Sequence, residues 1–293
     1  MSLVPTGTLV AGAAAGGGAI AAFNIITLEH AEAVIAGAES VGSPVVLQIS
    51  ENAVKYRQGR LLPLAAAAAA AAAEAAVPVG LHLDHVKSPA LLRQAAAAGF
   101  GSVMIDASHL PYAENLAATR DAAEWAHAHG LWIEAELGEV GGKGGAAPLD
   151  AHAPGARTDP EEARAFTAAS GVDALAVAIG SVHAMTTRTG AVDHALLARL
   201  SAAVDVPLVL HGSSGLPDAE LAAAVAGGIA KVNIGTALNV AMTDAIRAHL
   251  DAHPGAVDSR TYLSAGRAAM VRAAADLITA LGAGRPAVAP AAV

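Results

Sequence analysis

Short apolar, β-branched-rich runs alternate along the chain with longer alanine-rich segments of helical period. The runs predict strands over 19–23, 45–49, 79–83, 103–105, 132–137, 174–179, 208–210 and 231–234. Between them the pattern predicts helices including 30–40, 61–76, 89–98, 112–129, 160–169, 194–203 and 218–226. Punctuation agrees with this reading. Gly99 and Gly130 follow helix ends where a left-handed cap is expected, and Asp159-Pro160-Glu161-Glu162 offers an N-cap, a first-turn proline and early acidic charge. Eight strands interleaved with helices imply a parallel sheet, and eight units suit a closed (β/α)8 TIM barrel better than a doubly wound open sheet. Strands buried on both faces also explain why they read as runs and not as strict alternation.

At 293 residues a single barrel domain over 1–293 accounts for the whole chain. The segment 138–158, GEVGGKGGAAPLDAHAPGART, breaks the pattern: it has no helical period and is expected to be a mobile active-site loop after the fifth strand. The Pro/Ala-rich tail 283–293 is expected to fray.

Composition narrows the function. Hydrophobic residues are 54% and charged residues 15%, enough apolar chain for a large core. The formal net charge of −9 and the lack of a dense Lys/Arg cluster argue against nucleic acid and against anionic membranes. The most apolar stretch, 61–73, contains Pro63, is mostly alanine and falls short of the roughly 20 strongly apolar residues that span a bilayer. The first basic residue is Lys55, so no signal-peptide pattern opens the chain, and a soluble cytoplasmic protein is the expectation. With no cysteine, only His, Asp and Glu remain as ligands for a transition metal.

The expected strand ends carry the chemistry. His85 follows the third strand, His183 the sixth and His211 the seventh: three imidazoles on one rim, which can hold a catalytic metal and leave a position open. Asp84 precedes a ligand candidate, and both can serve one site only if the strand has ended there. Beside a metal-bound substrate, Asp84 suits general acid–base work. Asp106 and Glu136 either hold the metal in an alternative position or orient a ligand. His82 shares Asp84's parity and is expected to pack below the site, and His127 and His129 are accounted for by a helix C-terminus. Gly212-Ser213-Ser214-Gly215 and Asn233-Ile234-Gly235-Thr236 follow strands seven and eight, the recurrent phosphate position of such barrels.

In order, HLDH, SVMIDASHL, EAELGEVGG, AVAIGSVH, LVLHGSSGLPD and KVNIGTAL resemble the class II ketose-bisphosphate aldolases, those of fructose and tagatose 1,6-bisphosphate, from about Asn24 to Tyr262. The resemblance implies Zn²⁺ (or another divalent metal) on His85, His183 and His211, with Asp106 and Glu136 at a displaced or second metal position and room for a monovalent cation. It implies Asp84 as the proton-transfer residue, with Asn233 also in the catalytic set. It implies dihydroxyacetone phosphate on Gly212, Ser213, Ser214, Asn233, Ile234, Gly235 and Thr236, further substrate contacts from Asn24, Ser50 and Ala184, and Arg260 on the distal phosphate. The reaction implied is reversible aldol cleavage of a phosphorylated sugar through a zinc-stabilised enediolate, in a homodimer or homotetramer. Three departures stand against the family pattern. The loop reads Gly141-Gly142-Lys143-Gly144-Gly145, with no carboxylate until Asp150, where relatives carry an acid/base glutamate. Ala184 replaces a glycine, and Asp258-Ser259-Arg260 replaces Asp-Pro-Arg. The loop candidates are therefore Glu139, Asp150 and His152 for proton transfer and Lys143 for a phosphate. The alternatives are a different aldehyde partner in specialised metabolism, or a metal-dependent metabolite-binding protein without turnover.

Overall fold

The computed structural model describes residues 2–138, 140 and 156–282. Eight parallel strands close on themselves in chain order. They are β1 (Ile20–Asn24), β2 (Val45–Ser50), β3 (Val79–Val86), β4 (Ser102–Ile105), β5 (Trp132–Leu137), β6 (Ala174–Val177), β7 (Leu208–Leu210) and β8 (Ile229–Ile234). Pairing of β1 with β8, Ile20 opposite Lys231, closes the barrel. The expected (β/α)8 architecture is the one observed.

The helices begin with α1 (Thr6–Ala15), α2 (Leu28–Ser40), α3 (Glu51–Tyr56) and α4 (Leu62–Glu74). Next come α5 (Pro89–Leu92), α6 (Tyr112–Ala128), α7 (Pro160–Ser170) and α8 (His194–Ala203). The last are α9 (Asp218–Ala226), α10 (Thr236–Ala252) and α11 (Ser259–Ala280). Asp159 caps α7 as expected, accepting from the amides of Glu161 and Glu162 at 2.9 and 3.0 Å. None of the described helices is long and apolar enough to cross a membrane.

Two expectations need correction. The helix expected over 89–98 stops at Leu92. Beyond it the amides of Gln94 and Ala95 bond to Leu91 and Leu92, three residues back, so the chain continues as successive turns. The third strand does not end at Leu83 but runs on to Val86.

The apolar layer between strands and helices is one continuous cluster including Phe23, Leu47, Leu81, Ile133, Phe166 and Leu277. The barrel interior is different. Its lower part is apolar, with Ile20, Ala22 and Val46 closed from beneath by Leu9 and Val10 of α1. Burying each of those two side chains contributes about 1.5–3 kcal/mol. Above this plug the interior turns polar: Gln48, His82, Glu134 and Lys231 are all fully buried.

Candidate active site

The polar interior leads up to the C-terminal rim, where His85, His183 and His211 meet. Their ring centroids are 5.3 Å (His85–His183), 4.6 Å (His85–His211) and 6.1 Å (His183–His211) apart. One ligand atom from each lies within 4.8 Å of the others. His211 is fully buried, and Nε2 of His85 is buried with no hydrogen-bond partner among the described residues. A buried imidazole nitrogen with nothing to bond is costly unless something occupies its lone pair. The donor set of three imidazoles is also the one a catalytic zinc takes, so the residues fit the ion the sequence implies.

The backbone explains how Asp84 and His85 both reach this place. His85 has φ +49°, and the β3–β4 register slips between Leu83 and Val86. The strand has not ended, as the sequence reading required. It bulges at the histidine, which re-aims one side chain and sets two neighbours on the same end of the barrel. Gly212, at φ +66°, closes the contact between the loops after β6 and β7. A Cβ there would fall 2.8–3.0 Å from backbone atoms of Val182, next to His183. Ala184 adopts φ +60°, which explains why glycine suits that position.

Acidic groups hold the rings. Asp106 Oδ2 lies 3.0 Å from Nδ1 of His85, while its Oδ1 accepts from the Ser108 hydroxyl at 2.7 Å. Glu136 Oε2 is 3.0 Å from Nδ1 of His211, and Glu134 Oε1 is 2.8 Å from its Nε2. Asp106 and Glu136 thus stand as partners of the rings. With both ring nitrogens bonded to carboxylates, burial works against a charged His211 but the hydrogen bonds to Glu134 and Glu136 outweigh it and raise the ring to about 9; a metal ion would bind His211 in place of a proton and of one of these contacts. Burial likewise opposes ionisation of Asp84, and the charges of His85, His82, His211 and Lys231 overcome it, holding the carboxyl below its ordinary range. Asp84 accepts from Asn24 Nδ2 at 2.7 Å and from Asn233 Nδ2 at 3.2 Å. Gln48 in turn donates to Asn24 Oδ1 at 3.1 Å. His82 lies below as expected, its Nδ1 2.8 Å from Ser102 Oγ.

The two small-residue loops also come together. Ser213 donates its hydroxyl to the Asn233 carbonyl at 2.5 Å, and Ser214 Oγ accepts from the Ala237 amide at 3.2 Å. Thr236 opens the 17-residue α10, whose N-terminus lies between them. Gly235 stands against Asn24, where a Cβ would come within 3.3 Å of Oδ1. The Ile234 side chain points away into the apolar layer, so only its main chain can face a ligand. Ser50 caps α3, accepting from the Ala53 amide at 3.2 Å. Arg260, at the start of α11, is exposed and holds Asp258. Glu139, Lys143, Asp150 and His152 lie outside the described residues, as do most of the proposed loop and the tail.

Glu134, Lys231 and Gln48 were not among the sequence candidates. Parity was the available signal: Glu134 is two residues before Glu136 on β5, and Lys231 two before Asn233 on β8, so each shares the inward face of a candidate.

A closed parallel barrel whose polar side chains converge at the C-terminal rim, on three imidazoles that could hold a metal ion, has its candidate site where barrel enzymes carry their chemistry. The chain belongs to the class II fructose-bisphosphate aldolases, whose family model matches residues 4–285. It is an aldolase, a carbon–carbon lyase. It is similar to the YdjI aldolase of Escherichia coli K12, at 32% identity over 96% of this chain and 98% of that one, with a TM-score of 0.83. It is also similar to a putative fructose-1,6-bisphosphate aldolase from Coccidioides immitis, at 30% identity over 94% and 96%, TM-score 0.82. A fructose-bisphosphate aldolase from Campylobacter jejuni shares the fold at 23% identity over 96% of each chain, TM-score 0.81.

Proposed function

We propose that the protein is a zinc aldolase that reversibly cleaves a ketose 1,6-bisphosphate of the fructose or tagatose type. The products are dihydroxyacetone phosphate and an aldehyde such as glyceraldehyde 3-phosphate. The observation that carries this reading is the convergence of the His85, His183 and His211 ligand atoms within 4.8 Å, at the rim that also holds the buried Asp84. Zinc bound there supplies a Lewis acid for the ketone oxygen. Asp84 is the proton-transfer group: Asn24 and Asn233 fix its two oxygens beside the three histidines. The loops Gly212–Ser214 and Asn233–Thr236 receive the phosphate of the dihydroxyacetone half at the N-terminus of α10, where main-chain N–H groups and the helix dipole favour an anion. Asn24, Ser50 and Ala184 border the substrate, and Arg260 takes the distal phosphate. The enzyme works in the cytoplasm as a homodimer or homotetramer.

A second reading keeps the metal-side chemistry and changes the aldehyde. It is favoured by the loop Gly141–Gly145, which lacks a carboxylate until Asp150. Here Asp150, His152 or Glu139 supplies the proton relay and Lys143 a phosphate contact.

Steady-state cleavage of fructose and tagatose 1,6-bisphosphates, read as dihydroxyacetone phosphate released, tests both readings. Turnover of either sugar supports the first, and turnover only of other phosphorylated ketoses supports the second. Zinc bound with no turnover on any of them contradicts both. In the same assay Asp84→Asn retains zinc while turnover falls by roughly two to four decades, the size of a general acid–base contribution.

A further inference from the structure

Lys231 lies on the inner face of β8 and is the one lysine or arginine among the described residues that is buried. Its ammonium can donate three hydrogen bonds. One runs 2.9 Å to Glu134 Oε2 and another 2.6 Å to Asn233 Oδ1. Each recipient hands the constraint on. Glu134 has only its second oxygen left for the His211 ring, and it meets Nε2 at 2.8 Å. Asn233, with its carbonyl oxygen held by the ammonium, must present its amide nitrogen to Asp84 Oδ1, 3.2 Å away. A flip of that amide would aim NH₂ at an ammonium and a carbonyl at a carboxylate. Charge therefore allows one orientation only.

We propose that Lys231 is a positioning residue for the aldol site: one ammonium fixes the His211 ring through Glu134 and the Asp84 carboxylate through Asn233. The inference rests on His211 as metal ligand and Asp84 as proton-transfer group. The competing explanation is charge balance, in which Lys231 only neutralises Glu134. The two differ in consequence. If neutralisation were the whole role, removing both charges at constant shape would leave the site intact, because a buried pair can be replaced by neutral groups without loss. If Lys231 positions its neighbours, the neutral replacement folds but leaves Asn233 free to turn and the His211 ring less constrained.

The test compares wild type, Lys231→Met, Glu134→Gln and the double variant. Zinc affinity is read by competition with a chelator, kcat and KM on zinc-saturated protein, and thermal stability alongside. Lys231→Met weakens zinc binding and lowers kcat, each by about 10–100-fold, as expected for groups that orient a metal ligand, with a smaller change in KM. Glu134→Gln weakens zinc binding similarly but keeps more of kcat, because the Asn233 branch survives. The double variant regains thermal stability, yet its zinc affinity and kcat stay as low as those of Lys231→Met. Should Lys231→Met not fold, the double variant carries the comparison. Wild-type zinc affinity and kcat in the double variant, or in a folded Lys231→Met, would overturn the assignment while leaving the metal reading standing. Failure of the wild type to bind zinc at all would remove the metal reading and this inference together.

Discussion

Asp84 and His85 are consecutive, yet they meet the same cluster because one residue, His85, takes a positive φ within a strand. The sequence exposed both residues as candidates but could not expose the bulge, since a slipped register depends on the neighbouring strand. His82, two residues earlier, shows the complementary case, because parity alone placed it below the site. There burial and the Lys231 ammonium, with His211 adding, outweigh the attraction of Glu134 and Asp84 and bring its pKa down to about 3. A depressed base stays neutral in the native state while the unfolded chain protonates. Its stabilising contribution is therefore complete above about pH 6.5 and is lost as pH falls toward 3. Between pH 6.5 and 5 this amounts to about 2 kcal/mol. Urea denaturation at pH 7 and pH 5 should show His82→Gln losing less stability on acidification than wild type by about that amount. Parallel losses in the two proteins would mean that His82 is protonated in the native state.

At the scale of elements, all eight strands and seven of the helices were readable from hydrophobic period, because each packs against the same layer and carries the same pattern. Four helices escaped. α1 has little polarity of its own to mark a face, α3 is only six residues long, α10 follows its strand after the single residue Gly235, and the buried stripe of α11 includes Gly266 and Ala274, whose small side chains give little apolar contrast. The contact between the loops after β6 and β7 was also invisible, since it depends on a missing side chain at Gly212. Two glycines at similar φ separate the causes. Gly17→Ala, with φ +72° and nothing within 4 Å of the new Cβ, costs only the left-handed backbone penalty of about 1–2 kcal/mol. Gly212→Ala adds a collision with the Val182 backbone, a further ~1–3 kcal/mol. Equal losses in denaturant melts of the two variants would show that the loops are not held against each other there.

Across the whole molecule, the chain divides its barrel into an apolar lower half sealed by α1 and a polar upper half joined to the rim. The lower half supplies stability in the ordinary way. The upper half holds Glu134 and Lys231 as a buried ion pair, a costly arrangement that makes sense where ring and carboxylate geometry must be fixed. That division was only half legible: the rim histidines stand at strand ends, where barrel chemistry is expected, whereas Glu134 and Lys231 lie in mid-strand, where only the parity they share with Glu136 and Asn233 marks them. Everything proposed about the reaction turns on the three histidines forming one metal centre. The direct measurement is retro-aldol turnover followed while zinc is added back to chelator-stripped wild type and to His183→Ala. Wild-type activity should rise from near zero and saturate at about one zinc per chain, and the variant should neither retain the ion nor recover turnover. Activity that survives stripping, or a His183→Ala protein that binds zinc fully and turns over, would contradict the account.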